Sequence, residues 1–293
     1  MTDDYFNLGS YSRTVTTNSP DAQLWFNRGL VWSYSFNHEE ASRCFIKASK
    51  ADENCAMAYW GLAYARGPNY NKAWIRFDLA DLATTITEMR PVLQRAQALA
   101  TQGASPAERA VIEALKARFP KDNDETKPEN LDLHALDRAY AEAMRPVYEA
   151  YPEDPDIVAL FVEALMCISP RALWNLDTGE PCGPHTTEAR RVLEKAMTSL
   201  PGGSSNPAYC HLYIHLMEMA PYPEIALPAA DRLLRLVPDG SHMLHMPSHI
   251  YVACGDYRAV IDSNNQAMVV DDKYFAREPG TILYIMYRAH NIY

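Results

Sequence analysis

The 293-residue chain is short of several features that would fix its class at once. It has six cysteines, at 44, 55, 167, 182, 210 and 254, and none of them form a CxxC pair. That excludes a zinc ribbon and a disulfide framework, and it fits reduced thiols in a cytosolic protein. Basic residues are in deficit, with 27 Lys and Arg against 37 Asp and Glu and a net charge of -10. A surface of that sign repels phosphates, so neither a nucleic acid nor an anionic membrane is expected as a partner. No stretch reaches the roughly 18 uninterrupted apolar residues of a membrane span, and the start, MTDDYFNLGSYSR, lacks the basic-then-apolar layout of a secretory leader. A soluble cytoplasmic protein is the expectation. Hydrophobic residues at 48% and charged residues at 22% exclude disorder and leave enough apolar side chains for a substantial core.

What is present is a repeat. From Ala22, the positions that a tetratricopeptide unit fills with Trp, Gly, an aromatic, Ala, Phe and Ala hold Trp25, Gly29, Trp32, Ala41, Phe45 and Ala48. Small residues let paired helices approach, and the aromatics fill the space between hairpins. A second unit starts near Ala56, with Tyr59 and Ala63 in phase, and loosens at the loop 66–71. Residues 80–151 keep apolar positions three and four apart, broken at Ser105-Pro106 and over 121–130, which predicts three or four helices. Further helices are expected from Asp156 to Cys167 and from Thr187 to Leu200, separated by an insertion at 169–185 that carries three prolines, two glycines and Trp174. Such a loop can act as a lid. The best-phased units run from Pro207 to Gly240, capped by Asn206, and from Ser241 to about Tyr274. The expected fold is all-α: a TPR-like right-handed superhelical solenoid of six to eight hairpins, forming one domain over 21–293 after an N-terminal segment 1–20.

The chemistry sits on the first helices of the last two units, CHLYIHLMEMA and SHMLHMPSHIY. His245 follows His211 by 34 residues, and His249 follows His215 by the same 34. Within one helix, His211, His215 and Glu218 project from one face. Counted from the start of each repeat, these positions lie on the concave surface, so His211, His215, His245 and His249 are expected to converge as metal ligands beside Glu218. Neutral imidazole is the commonest transition-metal side-chain ligand. Iron or copper is favoured as the ion, with zinc or manganese as alternatives. Met217, Met219, Met243 and Met246 flank the cluster as packing material rather than thioether ligands. Pro247 should kink or delay its helix. Glu218, Glu163 and Tyr213 are the candidate catalytic residues. Tyr64, Asn69, Tyr70, Tyr251 and Trp174 are candidates for substrate contact, and His290, with Arg288 and Asn291 beside it, is a further candidate ligand or acid/base group. His38, His134 and His185 read as structural.

The segments SFNHEEASRCF, AMAYWGLAYARGPN, IVALFVEALM and, most specifically, HMPSHIYVACGDY resemble a tetratricopeptide-repeat family of bacteria and fungi over nearly the whole chain. The resemblance implies the fold and carries no reaction with it, so function has to be argued from the site. Members of that family continue beyond a segment similar to the one at 287–291, which raises the expectation of a shortened final repeat and a possible homodimer to cover it. Three functions follow from the residues. The first is a metal-dependent oxidative enzyme acting on a small organic, secondary-metabolite-like molecule. The second is a metal-dependent hydrolase or lyase with Glu218 or Glu163 as base. The third is a metal-free scaffold that binds a peptide or partner helix in its groove.

Overall fold

A computed structural model of the chain describes residues 5–121, 126–279 and 288–290, and the regular structure among them is helical throughout, with no strand. Thirteen α-helices follow one another over residues 20–277 among the described residues: α1 (Pro20–Tyr34), α2 (His38–Ala51), α3 (Ala56–Arg66), α4 (Leu79–Gly103), α5 (Pro106–Leu115), α6 (Leu133–Ala150), α7 (Pro155–Met166), α8 (Pro184–Ser199), α9 (Pro207–Met217), α10 (Leu227–Leu236), α11 (Ser241–His245), α12 (Pro247–Ala253) and α13 (Tyr257–Arg277). No described helix is long and apolar enough to cross a membrane.

The starts of these helices are chemically determined. Side chains of Ser19, Asn37, Asp78, Ser105, Asp132, Asp154, Asn206 and Asp256 accept hydrogen bonds from the first-turn amides of α1, α2, α4, α5, α6, α7, α9 and α13. At Ser19, Ser105, Asp154 and Asn206 the next residue is proline, whose missing N–H costs nothing at that position. Ser105 and Glu108 complete a reciprocal capping box.

Each helix packs mainly on its neighbours in sequence, through α1, α2, α3 and α4 and onward to α13. Close approach in the first three depends on glycine: a Cβ at Gly29 would lie 2.8 Å from the Phe45 ring, and one at Gly61 would lie 2.3 Å from it. The predicted break at Pro247 separates α11 from α12, yet Met246 between them keeps helical dihedrals (φ -53, ψ -36), so the helical path continues through a proline that has no N–H to donate. Residues 167–183 form the predicted loop between α7 and α8. It is pinned in place, because Trp174 Nε1 donates to Leu216 O at 2.6 Å, at the end of α9.

The chain also closes on itself. α1 packs against α9, and the extended N-terminal segment runs between early and late helices. Tyr5 Oη donates to Glu40 at 2.7 Å, Phe6 stacks on Tyr274 at 5.4 Å, and the backbone of Asn7 pairs with Asp239. Arg13 reaches Asp154 at 2.6 Å and Asp156 at 2.9 Å, and Thr16 donates to Glu108. The histidine-bearing helices α9, α11 and α12 are therefore enclosed, and the cluster predicted for an open groove is mostly buried.

Candidate metal centre

α9 begins at the Asn206 cap and is buried along its whole length, so its two histidines, one turn apart, point into protein rather than solvent. Each is fixed through Nδ1. His211 Nδ1 donates to the Tyr34 carbonyl at 2.6 Å, and His215 Nδ1 donates to Glu218 Oε1 at 3.0 Å. A carbonyl and a carboxylate only accept, so the proton sits on Nδ1 and the lone pair on Nε2. Both Nε2 atoms are buried, and neither has a hydrogen-bond partner among the described residues.

His242, His245 and His249 follow on α11 and α12 at spacings of three and four, which aligns them on one helical face. His245 Nδ1 donates to Asn264 Oδ1 at 2.8 Å, and His249 Nδ1 lies 2.6 Å from Glu218 Oε2. The facing Nε2 atoms of His245 and His249 are 2.9 Å apart. Glu218 thus touches one imidazole from α9 and one from α12.

Two triads result. His211, His215 and His242 offer ligand atoms that all lie within 4.8 Å of one another, as do His245, His249 and His290. The first triad is wholly buried and can hold a metal ion. His242 joins the two, its ring centroid 5.0 Å from that of His211 and 6.1 Å from those of His245 and His290. Burial, reinforced by the neighbouring imidazoles, pushes His211 and His242 well below the usual histidine range, and His245 and His290 down to about 3 and about 4. These rings stay neutral at physiological pH, which is the form that binds metal. Burial pushes Glu218 up, but His215 and His249 outweigh it and hold the carboxylate ionised.

The walls are aromatic. Phe36 stacks on His215 at 5.5 Å and on His242 at 5.7 Å and tilts onto His211 at 4.5 Å, while Tyr70 leans on His215 at 4.9 Å. Phe36 occupies the turn after α1 with φ +55, left-handed backbone that a bulky residue rarely adopts. Arg171, the other non-glycine residue in that region with φ +62, has its backbone bonded to Tyr70 and its charge near His290. Both exceptions therefore border the histidines.

The other sequence candidates lie elsewhere or behind this wall. Glu163 is buried on α7, accepting from the Tyr64 hydroxyl and, at 3.4 Å, from the Tyr70 amide, with Arg118 close by. Asn69 closes its own turn by accepting from the Asn71 and Lys72 amides. Tyr213 donates to Glu194 and Tyr251 to Asp231, each on the side of its helix away from the imidazoles. Trp174 packs on Tyr222. His38 lies beside Phe36, His134 is exposed, and His185 bonds Ser169 at 3.0 Å. Met217, Met243 and Met246 are buried in the core. Arg288 pairs with Asp272 at 2.7 Å, and Asn291 lies outside the described residues.

His242 is the candidate ligand that the repeat period misses. It stands 31 residues after His211 and so falls out of the 34-residue register. Its signal was the stripe His242, His245, His249 within a single helix. Comparison of the chain with protein-family models and with curated proteins gives no match.

Proposed function

We propose that this chain is a metal-dependent enzyme, built on a TPR-like solenoid, whose resident ion is held by His211, His215 and His242 and serves the oxidative conversion of a small organic molecule. One observation carries the reading: two buried Nε2 lone pairs with no hydrogen-bond partner, converging on a third imidazole. An unsatisfied buried acceptor costs about 1–3 kcal/mol, and a cation coordinated there removes that cost twice over. The outer contacts fit as well, since ligating histidines characteristically donate their second ring N–H to a carbonyl or carboxylate, as His211 and His215 do.

An ion bound to neutral imidazoles supplies Lewis acidity and, if it is iron or copper, one-electron exchange. The protein's own part is to fix tautomer and orientation through Tyr34 O and Glu218 and to exclude water with Phe36 and Tyr70. Oxidation is favoured over hydrolysis because hydrolysis needs an uncommitted base. Glu218 is engaged by His215 and His249, and Glu163 by Tyr64 and Tyr70. A peptide-binding scaffold would offer exposed groove positions, whereas His211, His215, His242 and His245 are 4% exposed or less.

Elemental analysis of freshly purified protein tests the reading. The parent is expected to carry transition metal in stoichiometric amount, and a chain with His211→Asn and His215→Asn to lose it. Spin-resonance or absorption signals of iron or copper then support the oxidative assignment. A metal-free parent that takes up none when offered, or a variant as metal-rich as the parent, overturns it.

A further inference from the structure

The second triad is not used by that reading, and its geometry is unusual in a way hydrogen bonding does not resolve. His245 Nδ1 meets Asn264 Oδ1 and His249 Nδ1 lies beside Glu218 Oε2; with the ring proton on each Nδ1, both Nε2 atoms are left as acceptors. Those Nε2 atoms face each other at 2.9 Å, and the His290 ring sits 4.5 Å from that of His245 and 5.5 Å from that of His249. Two lone pairs at that separation repel unless a proton or a cation lies between them. A proton there satisfies only that pair, whereas a cation also draws in His290, whose ligand atom lies within 4.8 Å of theirs.

We infer that a second metal ion is held by His245, His249 and His290, so that the protein carries two ions in unlike settings. This rests on the inner site proposed above and extends it. The inner triad is closed: the His215 side chain is 4% exposed and His211 is 1% exposed. The outer triad is open on one side, where the His249 side chain is 27% exposed. Three protein ligands with one accessible direction are what a site needs in order to admit an exogenous ligand. Glu218 links the two, with Oε1 on a ligand of the inner ion and Oε2 on a ligand of the outer one. It acts as a positioning residue for both. The small molecule and any oxidant therefore approach from the side of the outer ion, and the inner ion shares the site through Glu218.

The test uses Zn2+ as a redox-silent probe that imidazole binds well. The full chain, stripped by chelation, is loaded with Zn2+, desalted and counted, and release is then followed into a chromogenic chelator. Two ions per chain are expected, leaving in a fast phase from the outer triad and a slow phase from the inner one. His249→Asn, which keeps a donor at the Nδ1 position, should bind one ion and show only the slow phase. His211→Asn should bind one ion and show only the fast phase. Glu218→Gln should weaken both sites, about 10- to 100-fold, as loss of a supporting hydrogen bond does. Circular dichroism of each variant confirms that the helices are retained. A parent that binds one ion, retained by His249→Asn and lost from His211→Asn, overturns this inference and leaves the inner site standing. One ion lost from both variants means a single shared site and overturns it as well. A parent that binds none removes the inner site along with it.

Discussion

Metal loading should raise the thermal stability of this protein by an amount that its buried imidazoles set. In the stripped chain, His211 Nε2 and His215 Nε2 are desolvated without a partner, at about 1–3 kcal/mol each, so coordination relieves about 2–6 kcal/mol. Mass action gives a similar scale: about 2.7 kcal/mol at one hundred times Kd and about 4.1 kcal/mol at one thousand times. For a domain of this length each kcal/mol is worth roughly 2–4 °C near the midpoint, so a rise of about 6–12 °C is expected at saturation. The assay is differential scanning calorimetry of chelator-treated protein, alone and with Zn2+ or Cu2+. Mg2+ is the comparator, because it prefers oxygen ligands and an octahedral water shell. His211→Asn retains a donor toward Tyr34 O and deletes the Nε2 ligand. Its melting temperature without metal should stay within a few degrees of the parent's, and most of its metal-induced rise should vanish. Equal rises in parent and variant, or the same rise with Mg2+, would show that the cation binds elsewhere and that the two lone pairs are packing histidines.

Two further outcomes bear on the scaffold. Asp137 is buried on α6 with Oδ2 unpartnered among the described residues, and burial pushes it from 3.8 up to about 7 against the pull of Arg118 and Arg138. Between these values the folded chain holds a proton that the unfolded chain has lost. Stability should therefore fall as pH rises through about 4 to 7 and then level off, by about 2–4 kcal/mol in all. Asp137→Asn should flatten that slope in urea titrations and be the more stable protein at pH 8, and an unchanged slope would refute the assignment. Gly61→Val drives a side chain into the Phe45 ring and should cost about 1–3 kcal/mol, read as a lower denaturation midpoint, whereas Gly103→Ala, which meets nothing within 4 Å, should be neutral or slightly stabilising.

Local chemistry made much of the helical organisation readable. Pairs such as Ser19-Pro20, Ser105-Pro106 and Asn206-Pro207 announce helix starts because capping and proline act within one turn, and α1, α5 and α9 begin there. The Gly29–Phe45 contact was implied by the repeat pattern for the same reason: it joins neighbours in sequence. The closure of the chain was not readable. It depends on Phe6 meeting Tyr274 and on Asn7 meeting Asp239, partners more than two hundred residues apart, and no period encodes such pairs. That closure is why positions counted as an open concave surface are buried. At the site, the 34-residue interval found four histidines but grouped them across repeats. In the structure His211 and His215 stay together with His242 of α11, and His245 and His249 stay together with His290. His215 and His249, one repeat apart, meet through Glu218 rather than ring to ring. A count of helical faces inside SHMLHMPSHIY, beside the count of repeats, is what brings in His242.

The distribution of local costs is itself an argument for a ligand. Eight helix starts are capped by side chains, and Arg13, although largely buried, is fully paired with Asp154 and Asp156. Unpartnered buried atoms also occur elsewhere, Asp137 Oδ2 and Tyr140 Oη among them, but several kinds of local cost meet at one place: left-handed backbone at Phe36 and Arg171, lone pairs without partners on His211 and His215, and the facing Nε2 atoms of His245 and His249. A left-handed non-glycine residue costs about 1–2 kcal/mol, comparable to each orphaned acceptor. The concentration of such costs around six imidazoles is what a site looks like when its stabilising partner is a cation rather than another side chain.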